Sequence, residues 1–329
     1  MQNKTSQRQV YWNGKFVPES EAKVSIYDSS LMFGDMVFEM TRSFNGTQWK
    51  LEEHIDRLFT GIKILRIPTN ITKKEVYNAV LETIEKNKAF FEKDDEHRIM
   101  IDVSRGLLSI YENIVGVEKG PNIIIADFPL KWTVQGCSHL YDKGLNLFST
   151  SQRALPAHLM EPKIKNRSRL FYLMANIEVS MMSGKDNWAL LLDVNGNIAE
   201  GSGSNFFMIK NDVIYTPLPK DILIGITRNT IIEDIAPKLG IEVIQKDIQP
   251  FELYNADEAF LTSTPFCILP AVNYNNLVIG NGKPGKITKK LLDKWSEIVS
   301  VDIVNQIKKW DKSKGNNSQT TPYKFSKKS

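Results

Sequence analysis

Two stretches of the sequence carry residue types that could do chemistry on an amine. Residues 161–170 place Lys165 directly ahead of a segment whose apolar residues recur at helical spacing. Residues 200–205 begin with Glu200 at the end of a strand-like run and continue as a turn of small residues. A lysine amine can form a Schiff base with a carbonyl compound, and a carboxylate can pair with a protonated ring nitrogen. These are the two groups that chemistry based on pyridoxal phosphate (PLP) requires.

Three further features could hold a phosphate group. Residues 225–228 (Gly-Ile-Thr-Arg) open a predicted helix, where free backbone N–H groups and the helix dipole favour an anion. Residues 262–264 (Thr-Ser-Thr) follow a predicted strand and offer hydroxyl and amide groups in a turn. Arg57 lies on a predicted helix and could direct its guanidinium inward. Taken singly, the three are equally typical of a helix cap, a strand-end turn and a surface arginine.

In the first half of the chain, the sequence predicts strands and helices in mixed order. Asn13-Gly14 and Asn45-Gly46 predict hairpin turns between short strands. Apolar residues at helical spacing predict a helix from Glu52 to Leu65, and Thr72 with Glu75 predicts a capping box at the start of the next helix. Further strands are predicted over residues 98–103 and 122–126.

The second half repeats this mixture. A helix is predicted directly after Lys165, another from Thr227 to Leu239 with Gly240 as its stop, and a last one over residues 291–299. Strands are predicted over residues 145–150, 188–194, 206–209, 213–215 and 259–261. Because the strands and helices do not alternate regularly, the pattern predicts an α+β fold. We expect a small domain over residues 1–127, a connection over 128–138 and a larger domain over 139–310.

Composition narrows the class of protein. With 42% hydrophobic and 24% charged residues among 329, the chain is typical of a soluble globular protein. Cys137 and Cys267 lie far apart and predict no disulfide, which fits the cytoplasm. No histidine spacing predicts a metal site. No apolar run is long enough to span a membrane, and Met1–Gln9 has no signal-peptide core.

The charge of the chain is concentrated at its C-terminus. The formal net charge is +4, and without the lysines of the last residues the chain is close to neutral. The sequence therefore predicts no nucleic-acid partner. From about Asp311 the chain becomes polar without core residues, so we expect a disordered basic tail over residues 311–329.

Six motifs occur in an order that resembles one family. From about residue 10 to residue 300 the chain is similar to the class IV PLP-dependent aminotransferases, which include branched-chain amino acid and D-amino acid aminotransferases, (R)-selective amine transaminases and aminodeoxychorismate lyase. The resemblance implies the two-domain architecture known as fold type IV, with a small α+β domain and a larger β-rich domain, in a homodimer. The motifs are Phe33–Glu39, Glu53–Leu58, Ile164-Lys165, Glu200–Asn205, Gly225–Arg228 and Thr262–Thr264.

The resemblance also implies roles for individual residues. Lys165 matches the catalytic lysine that holds PLP and moves a proton, and it is preferred to Lys163 because the following helix then matches the family. Glu200 matches the acid that pairs with the pyridine nitrogen. The other residues implied to bind the cofactor are Arg57, Ser204, Ile226, Thr227 and Thr264.

Substrate recognition is less specific. Phe33 and Phe38 suit an apolar side chain, and Arg98 is the first candidate for the substrate carboxylate, with Arg42 and Arg105 as alternatives. Branched-chain members usually carry Tyr-x-Arg where residues 96–98 read Glu-His-Arg. The missing tyrosine is a departure from the branched-chain pattern.

The resemblance implies an enzyme that moves an amino group from an amino acid to a 2-oxo acid such as 2-oxoglutarate. A branched-chain amino acid is the leading donor. The alternatives are a D-amino acid or (R)-amine transaminase, or carbon–carbon cleavage of aminodeoxychorismate on the same site. A non-catalytic PLP-binding protein is a further alternative, but it would not need both Lys165 and Glu200. No membrane or nucleic-acid partner is expected.

Overall fold

The computed structural model describes residues 7–312, which divide into two compact units. The first unit contains the residues up to Leu130 together with Ile164–Ser168, and the second contains Lys131–Lys163 and the residues from Arg169 onward. The division falls inside the predicted connection, residues 128–138. Residues 131–138 are not an irregular linker, however, because short helices of the second unit begin there. The return of Ile164–Ser168 to the first unit has no signal in the sequence.

The first unit is a five-stranded sheet with two helices packed on one face. Its elements are β1 (Gln9–Trp12), β2 (Lys15–Pro18), α1 (Ser29–Phe33), β3 (Met36–Met40), β4 (Ser43–Phe44), β5 (Thr47–Gln48), α2 (Leu51–Leu65), α3 (Lys73–Asn87), β6 (His97–Ser104) and β7 (Asn122–Pro129). The strands of the sheet follow the order β2-β1-β7-β6-β3. The core that the sheet shares with the helices includes Val37, Leu58, Val76, Ile99 and Ile101. Both predicted hairpins and the Thr72–Glu75 capping box are confirmed.

The second unit is built on a larger sheet. Its elements are α4 (Lys131–Val134), α5 (Leu140–Lys143), β8 (Leu145–Arg153), α6 (Leu170–Ser180), β9 (Asn187–Leu192), β10 (Ile198–Gly201), β11 (Ser204–Lys210), β12 (Val213–Thr216), α7 (Ile226–Asn229), β13 (Val243–Gln245), α8 (Pro250–Tyr254), β14 (Glu258–Ser263), β15 (Cys267–Tyr274), β16 (Leu277–Val278), α9 (Lys286–Val299) and α10 (Ile303–Lys312). In this sheet, strands β10, β9, β8, β15, β14 and β11 follow one another, and β11 pairs back to β10, so these strands close into a ring.

One predicted helix of the second unit is interrupted. In place of a continuous helix over residues 227–239, α7 is followed by a π-helical segment, Thr230–Ile235, and a 3-10 turn, Pro237–Leu239. Pro237 has no N–H to donate to a regular helical ladder, which explains why the π-helical segment ends before it. Gly240 ends the segment with φ 66°, as the sequence predicts.

The C-terminal end of the described chain differs from its expected form. Ile303, Ile307 and Trp310 are buried along α10, which the sequence did not predict. Asp311 and Lys312 therefore end a helix rather than begin a disordered tail. The rest of that predicted tail, residues 313–329, lies outside the described residues. Between residues 7 and 312, no helix has the length and apolar character needed to cross a membrane.

Candidate active site

Lys165 lies on a short segment that extends the sheet of the first unit. The backbone N–H of Phe38 donates to the carbonyl of Lys165 at 2.9 Å, and Val37 forms a β-bridge with Asn166. Ile164 anchors the segment in the core, where its methyl group would lie 3.6 Å from a Cβ added at Gly61. The segment thus joins the outer edge of β3, and this pairing fixes the backbone of Lys165.

The surroundings of Lys165 differ from those of Lys163. Lys165 is half-buried, and its Nζ lies 4.7 Å from the centre of the Phe38 ring. Lys163 belongs to the second unit and donates to Glu161 at 2.9 Å. An amine beside an aromatic ring is partly shielded from water, whereas Lys163 has the ordinary ion pair of a surface residue.

Arg167 and Asp102 complete the environment of the Phe38 ring. The Arg167 guanidinium carbon lies 3.7 Å from the ring centre, and its Nη2 donates to Asp102 at 2.9 Å. Burial raises the pKa of Asp102, although the charge of Arg167 acts in the opposite direction. Neither Arg167 nor Asp102 was predicted from the sequence to take part in the site.

Arg57, predicted to bind phosphate, is held by a buried acid. Its Nε and Nη2 donate to the two carboxylate oxygens of Glu39 at 2.6 and 2.8 Å, and His54 Nδ1 lies 2.7 Å from the same carboxylate. Burial alone would raise the pKa of Glu39, but Arg57 and His54 hold it well below its usual range. Burial lowers the pKa of His54, and the charges of Arg57 and Lys165 lower it further, against the attraction of Glu39.

The three arginines considered for the substrate carboxylate differ in their partners. Arg105 is committed to structure, because it pairs with Asp35 at 2.5 Å and donates to the carbonyls of Leu65 and Arg66. Arg42 is buried and stacks 3.8 Å from the Phe44 ring centre.

Arg98 is buried in a different way. Its Nη2 reaches only the sulfur of Met40, at 3.6 Å, and within residues 7–312 its Nε and Nη1 have no hydrogen-bond partner. Burial, with the charge of Arg42, lowers the pKa of Arg98 to about 9. A buried guanidinium with unused donors is well suited to accept an anion. Phe33, by contrast, is 67% exposed at the end of α1.

Glu200 lies at the end of β10 in a set of hydrogen bonds. The Tyr172 hydroxyl donates to its Oε1 in a short contact, the backbone N–H of Leu223 donates to Oε2 at 3.1 Å, and Asn205 Nδ2 lies 3.4 Å from the same oxygen. Glu200 is only 4% exposed. These donors orient the carboxylate.

Near Glu200, two glycines leave room for neighbouring side chains to approach the backbone. A Cβ on Gly201 would collide with the Ser204 hydroxyl, and one on Gly225 would collide with the Asn205 amide. Ser204 is buried, and in the part of the chain that the structure describes its hydroxyl has no partner. An orphaned hydroxyl in such a position is expected to bond to a group that is bound there.

The phosphate candidates of the second unit are backbone and hydroxyl groups. Ile226 and Thr227 are the first residues of α7, and the first N–H groups of a helix have no acceptor within it. Thr264 lies in the turn between β14 and β15. That turn is fixed by Thr262 Oγ1, which donates to the Cys267 carbonyl at 2.6 Å, and by Ser263 Oγ, which donates to the Gly203 carbonyl at 3.0 Å.

The residues present fit the requirements of PLP. Glu200 is a buried carboxylate, already oriented by its hydrogen-bond donors, that can pair with a protonated ring nitrogen. Among the described residues, the Ser204 hydroxyl has no partner and is available to a bound group. The start of α7 offers backbone N–H groups to a phosphate.

Some residues around the site had a signal in the sequence although no role was predicted for them. Glu39 and Asn205 are the last residues of two of the six motifs, and Arg167 closely follows Lys165. Tyr172 lies among apolar residues of a helix and carried no signal.

Comparison with known proteins gives a consistent family assignment. The model of the family described as "Amino-transferase class IV" matches residues 36–274. A relative from Methanocaldococcus jannaschii, named putative branched-chain-amino-acid aminotransferase, is 37% identical over 290 residues, which cover 88% of this chain and 96% of the relative. The branched-chain-amino-acid aminotransferase of Salmonella typhimurium is 30% identical over 292 residues, which cover 86% of this chain and 90% of the relative.

Solved structures are similar over the same length. A crystal structure of the Escherichia coli branched-chain amino acid aminotransferase has a TM-score of 0.79 and 28% identity, and the match covers 89% of this chain and 95% of that one. The T.th. branched-chain amino acid aminotransferase complexed with N-(5'-phosphopyridoxyl)-L-glutamate has a TM-score of 0.76 and 28% identity, covering 93% and 97% of the two chains. The α+β, fold type IV prediction is therefore confirmed.

Proposed function

The chain belongs to the class IV aminotransferases, which use PLP, and from this premise we propose that it transfers the amino group of a branched-chain amino acid to a 2-oxo acid such as 2-oxoglutarate. The names of the relatives support this choice of donor. The observation that carries it in this chain is the Phe38 ring 4.7 Å from Lys165 Nζ, because an apolar ring beside the reactive amine suits an aliphatic side chain.

Lys165 and Glu200 have the central roles in this proposal. PLP, when bound, supplies an electron sink that lets the Cα proton of an amino acid leave. Lys165 holds the cofactor and then takes that proton on its Nζ and returns it. Glu200 pairs with the ring nitrogen, and its hydrogen-bond partners keep the carboxylate oriented toward one position.

The remaining cofactor contacts are proposed from their hydrogen-bonding groups. The N–H groups of Ile226 and Thr227, the Thr264 turn and the Ser204 hydroxyl offer neutral donors to the cofactor and its phosphate. Arg57 adds a positive charge that Glu39 holds in a fixed orientation. A phosphate held by backbone N–H groups and one arginine is a recurrent arrangement in proteins.

Substrate binding is proposed to involve Arg98, Phe33 and Phe38. The unpaired Nε and Nη1 of Arg98, counted among the described residues, support a role as receptor of a substrate carboxylate. We expect Arg98→Gln to raise the KM for the amino acid and the 2-oxo acid. Arg105→Gln is not a suitable control because Arg105 holds Asp35 and two backbone carbonyls.

The chain is further proposed to act as a homodimer in the cytoplasm. Several apolar residues of the first unit are exposed in the single chain, which supports a partner that covers them; they are Val24, Ile26, Leu31, Met32, Phe33 and Ile110. Both cysteines, Cys137 and Cys267, are free and buried, which suits a reducing compartment. Light scattering of the purified protein measures the mass of the particle directly.

Absorption spectroscopy of the purified protein with PLP tests the proposed function. We expect a visible band of lysine-bound PLP that is lost in Lys165→Ala and kept in Lys163→Ala, which serves as the matched control. L-leucine and L-glutamate should each convert the bound cofactor to its amine form, and D-alanine should not. A band that survives in Lys165→Ala would contradict the role of this lysine.

Product assays separate the alternative reactions. Conversion by D-alanine instead of L-leucine would assign the chain to D-amino acid transfer, and conversion by an (R)-amine would assign it to amine transfer. Release of pyruvate from aminodeoxychorismate, with no amination of any 2-oxo acid, would replace transfer by carbon–carbon cleavage.

A further inference from the structure

The Glu200 carboxylate is bonded by a tyrosine that no motif of the sequence marks. Tyr172 lies on α6, and its ring is buried in a cluster with Phe148, Ala175 and Leu191. Its hydroxyl donates to Glu200 Oε1. A buried hydroxyl needs a partner, and here the partner is the acid that is proposed to face the cofactor.

Arg169 approaches the same hydroxyl from the start of α6. Its guanidinium carbon lies 5.1 Å from the centre of the Tyr172 ring, and its side chain is hydrogen-bonded to the Tyr172 oxygen. Because Arg169 carries only donors, the Tyr172 oxygen is the acceptor in this contact. The hydroxyl therefore accepts from a cation and donates to an anion, which polarises it and strengthens its bond to Glu200.

The protonation of Tyr172 keeps this direction fixed. Burial raises the pKa of Tyr172 well above its usual range, and the negative charge of Glu200 raises it further, while Arg169 has the opposite effect. The hydroxyl thus retains its proton across the range in which enzymes work. Tyr172 is a permanent donor to Oε1, while Leu223 and Asn205 bond to Oε2.

From this geometry, and resting on the proposed function, we propose that Tyr172 is the positioning residue for the cofactor acid. Its hydroxyl, polarised by Arg169, holds the Glu200 carboxylate in the orientation that pairs with the ring nitrogen of PLP. Tyr172 does not touch the reacting atoms in this scheme and acts only through Glu200. The Tyr172 hydroxyl donates to one carboxylate oxygen of Glu200 and the Leu223 N–H donates to the other. Without the hydroxyl, the carboxylate group is free to rotate out of its plane.

The test compares the PLP affinity of four proteins: the wild type, Tyr172→Phe, Glu200→Gln and the double variant. Apoprotein is titrated with PLP, and binding is followed by quenching of tryptophan fluorescence. We expect Tyr172→Phe to weaken binding by about tenfold, as for the loss of a hydrogen bond to a charged group. In the Glu200→Gln background, the same change should have almost no effect, because residues that act through one another are not additive.

A matched control separates this role from a contribution to packing. Tyr274 is also a buried tyrosine of the second unit, and its hydroxyl bonds to Ser149 in a short contact. We expect Tyr274→Phe to change the thermal stability of the apoprotein but not its PLP affinity. A purely structural role for Tyr172 would give Tyr172→Phe the same pattern as Tyr274→Phe and would overturn the proposal.

A second variant keeps the test independent of the folding of Tyr172→Phe. Arg169→Gln removes the cation from the Tyr172 hydroxyl without opening the core, and we expect it to weaken PLP binding by roughly two- to fourfold, in the same direction. Unchanged affinity in Arg169→Gln and Tyr172→Phe would refute the proposal even if the wild type binds PLP. A wild-type protein that binds no PLP would instead refute the proposed function, and the positioning role with it.

Discussion

Arg57 combines two roles at the scale of a single residue. It is proposed to contact the phosphate, and it also neutralises Glu39, whose side chain is completely buried. A buried carboxylate that loses its cation becomes an uncompensated charge, and such losses cost about 3–5 kcal/mol. The effect of removing Arg57 on cofactor binding is therefore coupled to an effect on folding.

We predict that Arg57→Ala lowers the free energy of unfolding of the apoprotein by about 3 kcal/mol or more. Urea denaturation without PLP measures this change separately from any loss of cofactor. The double variant Arg57→Ala/Glu39→Gln should recover part of the stability, because the buried charge is then absent. An apoprotein of Arg57→Ala as stable as the wild type would show that water reaches Glu39 and compensates for the arginine.

Asp127 gives the first unit a dependence of stability on pH. Burial raises the pKa of Asp127 to about 6 from 3.8, despite its hydrogen bond to His97. The folded protein therefore binds this proton more tightly than the unfolded chain does. The proton on Asp127 stabilises the folded protein fully at a pH below the pKa of this carboxyl in the unfolded chain. This stabilisation is lost as the pH rises through the pKa in the folded protein.

We predict that Asp127→Asn unfolds at a higher urea concentration than the wild type at about pH 8. Its free energy of unfolding should exceed that of the wild type by at most roughly 3 kcal/mol. The difference should decrease toward acid pH, because the wild-type carboxyl then becomes neutral as well. Urea denaturation over a series of pH values measures it. A variant that is less stable than the wild type at every pH would contradict the direction of the shift.

At the scale of elements, helix α2 packs tightly on β3 and on the lysine segment. A Cβ on Gly61 would lie 2.7 Å from Val37 Cγ1, and 3.6 Å from a methyl group of Ile164. Alanine favours a helix over glycine by about 1 kcal/mol. Here the steric conflict with a β-branched side chain in a packed core is the larger effect, since overpacking costs about 1–3 kcal/mol.

We predict that Gly61→Ala lowers the thermal stability of the protein and weakens PLP binding, since Ile164 and Lys165 lie on the segment that is displaced. Thr60→Ala, on the exposed side of the same helix, is the control and should change neither property noticeably. Differential scanning calorimetry and PLP titration measure the two effects. Increased stability in Gly61→Ala would mean that helix propensity outweighs the contact with Val37.

The elements also show which parts of the structure the sequence could predict. Local signals gave correct results: Asn13-Gly14 specifies a turn and Thr72 with Glu75 a capped helix. Lys165 and Glu200 could be singled out because they lie in motifs. The pairing of Asn166 with Val37 joins residues far apart in the chain, so no local period reports it. Tyr172 occupies an apolar position of α6, where only tertiary contacts reveal its hydroxyl bond.

At the scale of the whole molecule, the chain passes from the first unit to the second at Leu130, returns for Ile164–Ser168 and leaves again. The strand order places β3 at the end of its sheet, where only this returning segment covers its outer edge within the described residues. An exposed strand edge is a site at which another strand can be added.

We predict that a fragment of residues 1–130 self-associates and that a synthetic peptide of residues 161–170 binds to it and reduces this association. The peptide should form the same backbone bond to Phe38 that the chain forms. Analytical ultracentrifugation measures both effects. A peptide with Ile164→Asp is the control, since Ile164 is buried in the core. Equal binding of the two peptides would contradict docking in the native register.

The interrupted path of the first unit has a consequence for synthesis on the ribosome. The residues up to Leu130 emerge first, but the segment that carries Lys165 follows only after Lys163 and the preceding part of the second unit. At about 5–20 residues per second, the nascent small unit waits for a few seconds with an open strand edge. During translation, Lys165 can therefore join the first unit only after the larger unit has begun to emerge. A ribosome that stalls in this interval would expose an aggregation-prone sheet to chaperones.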